Sequence, residues 1–232
     1  EGGRVLAEVQ GATPRGVALL SHMPYALPFV ERLRLFKQFV DTEKATATQR
    51  AHGEPGVRVR IRRGRVLQDG LRELNGLGGL MKRRLQVEFI NDAGASETGV
   101  DVGGLFKEFW TDLSALAFNM NFGLFRTTPG EGLLYPNPAS EAMQGSDHIE
   151  LFAFLGRILG KALYEGLTVE PKFAHFFLSY LKGNYNYLNT WHDLATLDAE
   201  LYKNLMFLKT YDGDAADLCL TLLSYENFGG YM

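Results

Sequence analysis

The sequence has very little cysteine, no long apolar run and no surplus of basic charge. Its one cysteine among 232 residues excludes an intrachain disulfide. That scarcity is typical of a reducing compartment, so we expect the cytoplasm or the nucleus. No stretch has the length of a membrane span or the flanks of a signal peptide, so we expect no membrane partner. The formal net charge of −3 provides no general attraction to nucleic acid.

The sequence also lacks the residue spacing that metal ligands need. None of its histidines forms an HxH or HxxxH pair, and the cysteine has no second cysteine beside it. We therefore expect no metal and no cofactor. What the chain does have is 46% hydrophobic and 22% charged residues, which is ordinary for a globular protein with a buried core. The histidines are His22, His52, His148, His175 and His192.

Apolar residues recur with the periods of both strands and helices, which predicts an α+β fold in which helices outnumber strands. Alternation predicts strands over 57–64, 83–90 and 218–222. Helical spacing predicts helices over 28–40, 148–166, 171–183 and 199–211, and another directly after the GVDVGG motif. Asp147 and Asp198 are the expected N-caps of two of them. The polar stretch 41–56 predicts a linker, and the apolar stripe of the 28–40 helix predicts that it packs on the rest of the fold.

The GVDVGG motif has the glycine-rich turn and the following helix of a phosphate-binding loop. A nucleotide loop also needs a lysine and a hydroxyl, and Asp101 would repel a phosphate at the helix N-terminus. Structural capping by Asp101 is therefore favoured over an anion site, with Gly103 and Gly104 allowing close approach of neighbouring segments. The later GRILGKA lacks the first glycine and the hydroxyl of such a loop, so Gly156 and Gly160 are expected to allow close helix packing instead.

Two further features each have a chemical and a structural interpretation. Arg58, Arg60 and Arg62 form either a nucleic-acid patch or the solvated face of an edge strand. The edge strand is favoured, because no aromatic residues interleave with the arginines to stack on bases. Cys219 is either a nucleophile or an ordinary strand cysteine, and the second is favoured because no histidine or lysine lies beside it in sequence to activate it.

The 199–211 helix is apolar around most of its circumference. Leu201, Leu205 and Leu208 form one stripe, and Tyr202, Met206 and Phe207 extend the apolar surface around the helix. Such a helix is either buried on all sides or buried on one side and offered to a partner on the other. Methionine and aromatic residues are typical of protein interfaces, so a partner-binding face is one of the two interpretations.

Several segments together resemble the HECT-type ubiquitin-protein ligases. In order along the chain they are IRRGRVLQDG, LQVEFINDAGASETGVDVGGLFKEFW, GLLYPNP, FLGRILGKALYEGLTVEPKFAHFFLSYL, LYKNLMFLKTYDG and LTLLSYENFG, and the match covers about 57–230. The resemblance implies the N-terminal lobe of the catalytic domain. It implies a larger part over 57–181 and a small, incomplete subdomain over 182–232 that binds the conjugating enzyme, after an extension of helix and linker over 1–56.

The resemblance also implies partners and site residues. In the family, ubiquitin passes from a conjugating enzyme to a cysteine on a separate C-terminal lobe and then to a substrate lysine. This chain is accordingly expected to hold no catalytic residue and to be inactive in transfer alone. Matching positions imply that Leu134 and Tyr135 contact a second, non-covalent ubiquitin, and that Asp101, Gly103 and Gly104 are structural. The implied conjugating-enzyme contacts are Leu201, Asn204, Leu205, Leu208 and Tyr211 on the helix, and Leu218 and Leu220 on a strand after it.

Three functions follow from these readings. The first is the ligase lobe, for which we predict that Leu205→Asp abolishes docking and leaves the fold intact. The second is a non-catalytic scaffold that binds without transfer. The third is a nucleic-acid binder acting through Arg58, Arg60 and Arg62, which predicts strongly salt-dependent binding to oligonucleotides. The ligase lobe is favoured, and its protein substrates are unknown.

Overall fold

The computed structural model describes residues 13–50, 56–91, 93–97, 104–183 and 190–220. Helices dominate it, and the strands are short, which confirms the predicted α+β fold. In chain order the elements are α1 (Pro14–His22), α2 (Phe29–Arg50), β1 (Val57–Arg62), α3 (Val66–Leu74), β2 (Leu85–Ile90), α4 (Gly104–Ala117), β3 (Phe125–Thr127), β4 (Leu134–Pro136), α5 (Ser140–Gln144), α6 (His148–Tyr164), α7 (His175–Leu181), α8 (Thr190–Leu197) and α9 (Ala199–Thr210).

Strands β1 and β2 pair in parallel, with α3 in the crossover between them. Their register runs from Val57 beside Leu85 to Arg62 beside Ile90. The alternate positions predicted to face the core are buried, except that Val57 is half-buried. This sheet lies on α4, and α3 packs so closely that a Cβ at Gly70 would come within 3.0 Å of the Phe109 ring. The hydrophobic pattern of both strands is therefore confirmed.

The main buried cluster runs from Val59 to Ala162 and centres on α4 and α6. Phe109 and Leu113 of α4 and Phe154 and Ile158 of α6 are fully inaccessible to solvent. Helix α6 is buried along one face only, since Ile149 is 64% exposed. Its end is as predicted: the helix stops at Tyr164, and Gly166 adopts a φ of 75°, which glycine reaches without strain.

The antiparallel pair β3 and β4 is held against α6 by aromatic side chains. The Phe125 ring lies 5.0 Å from that of Phe118 and 5.3 Å from that of Phe152. Leu134 extends the pairing, because its N–H donates to the carbonyl of Lys172 and its own carbonyl accepts from Ala174. These bonds keep 172–174 extended, so the prediction of a helix from Pro171 is wrong and α7 begins only at His175.

The predicted linker over 41–56 is wrong for its first ten residues. Helix α2 continues to Arg50, because DTEKATATQR contains several strong helix formers and no glycine or proline. The prediction that its apolar stripe is covered is also wrong, since Phe29 is 67% exposed and Phe36 is 47% exposed. The helix instead reaches the lobe through polar residues. Lys44 Nζ lies 3.2 Å from a Glu165 carboxylate oxygen and 4.9 Å from the Tyr164 ring, and Glu43 pairs with Lys82.

Three local predictions about caps and glycines have different outcomes. Asp198 caps α9 as predicted, because its carboxylate accepts from the Leu201 N–H at 2.9 Å. Asp147 is the N-cap residue of α6 as predicted, but its side chain makes no capping hydrogen bond. Gly156 and Gly160 have nothing within 4 Å of an added Cβ, so they do not permit close helix packing. Among the described helices, none combines the length and apolarity needed to cross a lipid bilayer.

The predicted strand over 218–222 is wrong where the structure describes it. Residues Ala215–Leu218 form a 3₁₀ turn, and Cys219 follows in the left-handed region with a φ of 49°. The cause is local, because the Asp214 carboxylate accepts from the Ala216 N–H at 2.9 Å and so initiates the turn. Residues 221–222 lie outside the described part of the chain.

Candidate protein-docking face

Helices α8 and α9 pack on each other, yet none of the twelve residues of α9, all of them described, is buried. The helical period places Tyr202, Leu205 and Met206 on the same side as Lys209. Lys209 Nζ lies 5.7 Å from the ring centroid of Trp191 in α8, so this side faces α8. The three apolar side chains on it are half-buried accordingly.

The opposite side of α9 carries apolar side chains that nothing in the described structure covers. Leu201 is 45% exposed, Phe207 is 56% exposed and Leu208 is 36% exposed. Asn204 lies exposed between them, and the Phe207 ring packs at a tilt against that of Tyr211 with centroids 5.6 Å apart. We call this surface, consisting of Leu201, Asn204, Phe207, Leu208 and Tyr211, the docking face. A contiguous exposed apolar surface of this kind marks an interaction site.

The structure brings together four of the seven residues predicted to contact a conjugating enzyme. Leu201, Asn204, Leu208 and Tyr211 share the docking face. Leu205 is the exception on the helix, because it is half-buried and the helical period places it between the docking face and the side that carries Lys209. The remaining two are not on a strand, since Leu218 is half-buried in the 3₁₀ turn and Leu220 is 63% exposed beyond it.

Sequence reasoning did not assign a role to Phe207 or Gly213. Phe207 was an apolar helix position with no matching family role, and its place beside Tyr211 depends on where the helix ends. Gly213 follows Tyr211 by two residues, and a Cβ there would lie 2.5 Å from the tyrosine hydroxyl oxygen. The i,i+4 spacing of Phe207 and Tyr211 was the available signal for the stacked pair.

The segment over 190–220, which carries the docking face, is acidic. Its carboxylates outnumber its lysines by four, whereas the whole chain has a net charge of −3. The rest of the chain therefore has a slight positive balance. A partner with a basic surface around an apolar tip would be complementary in charge to this segment. The acidic residues are Asp193, Asp198, Glu200, Asp212, Asp214 and Asp217, and the basic ones are Lys203 and Lys209.

The other predicted contacts and motif residues lie in the larger part. Leu134 is only 8% exposed and belongs to the main buried cluster, so its side chain is not available to a partner and that prediction is wrong. Tyr135 is half-buried and packs 5.6 Å from Phe176. Gly104 begins α4 with nothing within 4 Å of an added Cβ, so it does not serve close approach. Asp101 and Gly103 lie outside the described residues.

The arginines of the basic run are largely engaged in ion pairs. Arg62 clamps the buried carboxylate of Asp69, with Nε and Nη2 at 2.8 and 2.6 Å from its two oxygens. These hydrogen bonds lower the pKa of Asp69 to about 2. Arg60 pairs with Glu88, and Arg63 bridges Glu97 and Glu108. This pairing favours the structural interpretation of the strand over a nucleic-acid patch.

The described residues contain no group of three or more His, Cys, Asp or Glu side chains arranged to hold a metal ion. Cys219, the single cysteine, is exposed at the end of the 3₁₀ turn. It does not lie at a helix N-terminus, the position that favours a thiolate. The chemistry that the described surface offers is therefore binding through exposed apolar side chains.

Comparison with known proteins gives one family match. The model of the HECT domain, described as a ubiquitin-transferase, matches residues 111–232. The chain is 42% identical to the E3 ubiquitin-protein ligase UPL6 of Arabidopsis thaliana over 90% of this chain and 20% of that protein. It is 38% identical to ubiquitin-protein ligase E3B of Mus musculus over 99% of this chain and 22% of that protein. The chain thus spans about a fifth of the length of these curated relatives.

Proposed function

This chain belongs to the HECT-domain family of ubiquitin transferases, and from that premise we propose that it docks a ubiquitin-charged conjugating enzyme on the docking face of α9. The observation that carries the proposal is the exposure of Leu201, Leu208 and Phe207 on a helix whose other side packs on α8. A helix with one covered and one uncovered apolar side has the form of half an interface.

The size of the docking face suits a transient complex. Three large apolar side chains and one tyrosine can receive the apolar tip of a loop, which gives a small interface with a few central anchors. The acidic surroundings would attract a basic partner surface and accelerate association. Rapid exchange matters because a discharged conjugating enzyme must leave before a charged one can bind.

We propose that the intact protein completes the transfer with a cysteine outside this chain. That thiolate would attack the thioester carbonyl of ubiquitin, and the conjugating enzyme's cysteine would leave as a thiolate. A substrate lysine would then displace the second cysteine in the same way. We expect the residues of this chain to take no part in bond exchange, because Cys219 directly follows a 3₁₀ turn and, in the described part of the chain, does not lie at a helix N-terminus that would favour its thiolate.

The proposal keeps a division into an extension over 1–56, a larger part over 57–181 and a small docking subdomain over 182–232. The buried cluster supports it, since that cluster runs from Val59 to Ala162. None of the side chains described between 190 and 220 is buried. A part with its own core and a part in which no described side chain is buried are expected to differ in stability and in motion.

The test is a calorimetric titration of the chain against a panel of ubiquitin-conjugating enzymes. We expect some members to bind, and Leu208→Asp to weaken that binding by at least about thirtyfold, because a charge would enter an apolar anchor site. Leu208 replaces Leu205 as the test position, since Leu205 is half-buried and its substitution by aspartate would also place a charge in a partly buried position. The matched control is Ile149→Asp. Ile149 lies on α6, has the same size as leucine and is 64% exposed.

Two results would contradict the proposal. If Leu208→Asp binds with the same affinity as the unchanged chain, the docking face is not part of the interface. Failure of every conjugating enzyme to bind the folded chain would remove the docking function itself and favour the scaffold. For the non-covalent ubiquitin site the proposal is reduced to Tyr135, and a Tyr135→Ala variant that binds free ubiquitin as well as the unchanged chain would dismiss it.

A further inference from the structure

The Tyr211 ring is held from two sides at the point where α9 ends. On one side the Phe207 ring lies 5.6 Å away at an interplanar angle of 44°. On the other side the ring lies directly over Gly213, where an added Cβ would come within 2.5 Å of both Cζ and the hydroxyl oxygen. Tyr211 itself has an extended backbone at the C-cap, so its side chain leaves the helix just as the chain turns.

The Tyr211 ring, and not the backbone conformation, requires glycine at position 213. Gly213 is not among the glycines with positive φ, so an alanine there would meet no backbone strain. The three nearest atoms to an added Cβ all belong to the Tyr211 side chain. A methyl group at 213 would therefore act on the molecule by displacing that ring.

We propose that Phe207 and Gly213 are positioning residues that hold Tyr211 in the orientation needed to receive a conjugating enzyme. The inference rests on the proposed function, because Tyr211 is one of the docking positions. A tyrosine that is already ordered loses less conformational freedom on binding, so the seat formed by Phe207 and Gly213 raises affinity by ordering the ring. Phe207 is 56% exposed, so its outer edge also extends the apolar surface on which the partner's loop tip would rest.

Two variants each alter one of the two contacts of the Tyr211 ring. Gly213→Ala fills the space under the ring and leaves every docking side chain present. Phe207→Ala removes the stacked neighbour and part of the exposed surface. Both should disturb Tyr211, and only the second should also remove contact area.

The experiment is a double-mutant cycle with Tyr211→Ala, measured by calorimetry with a conjugating enzyme that binds the unchanged chain. Gly213→Ala is expected to weaken binding about three- to tenfold, and Phe207→Ala by a similar factor. In the Tyr211→Ala background, Gly213→Ala should change affinity by less than about twofold, because the ring it displaces is gone. The matched controls are Gly156→Ala on α6, where an added Cβ meets nothing within 4 Å, and Phe36→Ala on α2, where the ring is 47% exposed.

A second measurement follows the ring without any partner. In ¹H–¹³C NMR spectra of the free chain, the Tyr211 ring signals are assigned by their loss in Tyr211→Ala. Gly213→Ala and Phe207→Ala should each move those signals, because the stacked ring and the glycine surface define their environment. Unmoved signals would show that the seat does not exist in solution and would overturn the inference.

The outcomes distinguish the inference from the function on which it rests. Equal loss of affinity from Gly213→Ala with and without the tyrosine would overturn the positioning role while leaving conjugating-enzyme docking in place. Binding by no conjugating enzyme would overturn the proposed function and the docking role of the seat together, even if the ring signals moved. If the ring signals move and the effects of the Gly213→Ala and Tyr211→Ala variants on affinity are non-additive, both the positioning role and the docking function are supported.

Discussion

Helix α6 and helix α9 are both rich in large apolar residues, yet they use them in opposite ways. In α6, Phe154 and Ile158 are completely buried in the cluster that also contains residues of α4 and the parallel strands. In α9, no residue is buried, and Phe207 and Leu208 face outward. The comparison teaches that apolar character measures what a helix can bury, whereas its neighbours decide whether it stabilises the fold or remains open to a partner.

The largest loss of stability that can be measured on a folded chain is expected for Phe154→Ala in the core. Removal of a fully buried ring leaves a cavity, so we expect the free energy of unfolding to fall by about 3–5 kcal/mol in urea denaturation. The counterpart, Phe207→Ala on α9, should change it by less than about 0.5 kcal/mol, because an exposed ring contributes little to stability. Similar losses from the two variants would mean that α9 is part of the core, and the comparison would fail.

Asp69→Asn tests the polar side of the same core. The Asp69 side chain is 1% exposed and accepts from Arg62 twice through its guanidinium and once through its backbone N–H. The asparagine side chain has only one oxygen that can accept these bonds, so we expect the free energy of unfolding to fall by about 2 kcal/mol. The matched control is Glu88→Gln, whose partner Arg60 is 69% exposed and whose loss should be below about 1 kcal/mol.

The same carboxylate predicts a pH dependence. Hydrogen bonds from Arg62 lower the pKa of Asp69 from 3.8 to about 2 in the folded chain. A depressed folded pKa stabilises the fold above the unfolded value, so about 2 kcal/mol of stability is present above pH 4 and is lost as the pH falls toward 2. Urea titrations at pH 2, 3 and 5 should show this loss in the unchanged chain and a flatter profile in Asp69→Asn. Parallel profiles would assign the acid sensitivity to other carboxylates.

Leu208→Asp tests whether the docking face of α9 contributes to binding and not to stability. Because Leu208 is 36% exposed and faces away from α8, we expect its unfolding free energy to change by less than about 1 kcal/mol while conjugating-enzyme affinity falls. The core counterpart Leu113→Asp buries a charge at a fully inaccessible position and should prevent folding. Circular dichroism of both variants at the same concentration provides the check.

A small effect is expected at the contact of α2 with the lobe. Lys44→Ala removes the pair with Glu165 and the contact with the Tyr164 ring, but both partners of the ion pair are about one-third exposed. We expect a loss of less than about 1 kcal/mol, which shrinks further in 0.5 M salt. A loss of several kcal/mol would show that α2 is integral to the core.

Predictions from residue pattern succeeded where one local rule acted alone. The alternation in β1 and β2 predicted their buried faces because strand period and burial coincide. Asp198 was predicted as a cap because its residue type and position are sufficient for that bond. A failure occurred where two local rules competed, at 218–220, where the Asp214 turn prevailed over apolar alternation.

The docking face could be predicted only in part. Family resemblance supplied its positions on α9, and the structure separates Leu201 and Leu208, which are exposed, from Leu205, which is half-buried. Leu134 shows the limit of position matching, since this residue, itself predicted to contact ubiquitin, is only 8% exposed. The role proposed for Gly213 required the three-dimensional distance to the Tyr211 ring, because nothing in its sequence context distinguishes it from an ordinary turn glycine.

The sequence by itself determined the family, the α+β class, and which segments carry enough apolar periodicity to form helices and strands. Those properties depend on the order of residues within a few turns of the chain, and they can be recognised without coordinates. Only the tertiary structure decided which apolar faces are covered, that α2 meets the lobe through Lys44 and Glu43, and that Tyr211 rests between Phe207 and Gly213. The physical reason is that burial is a relation between elements distant in sequence, and the same apolar stripe has the same pattern whether another helix covers it or not.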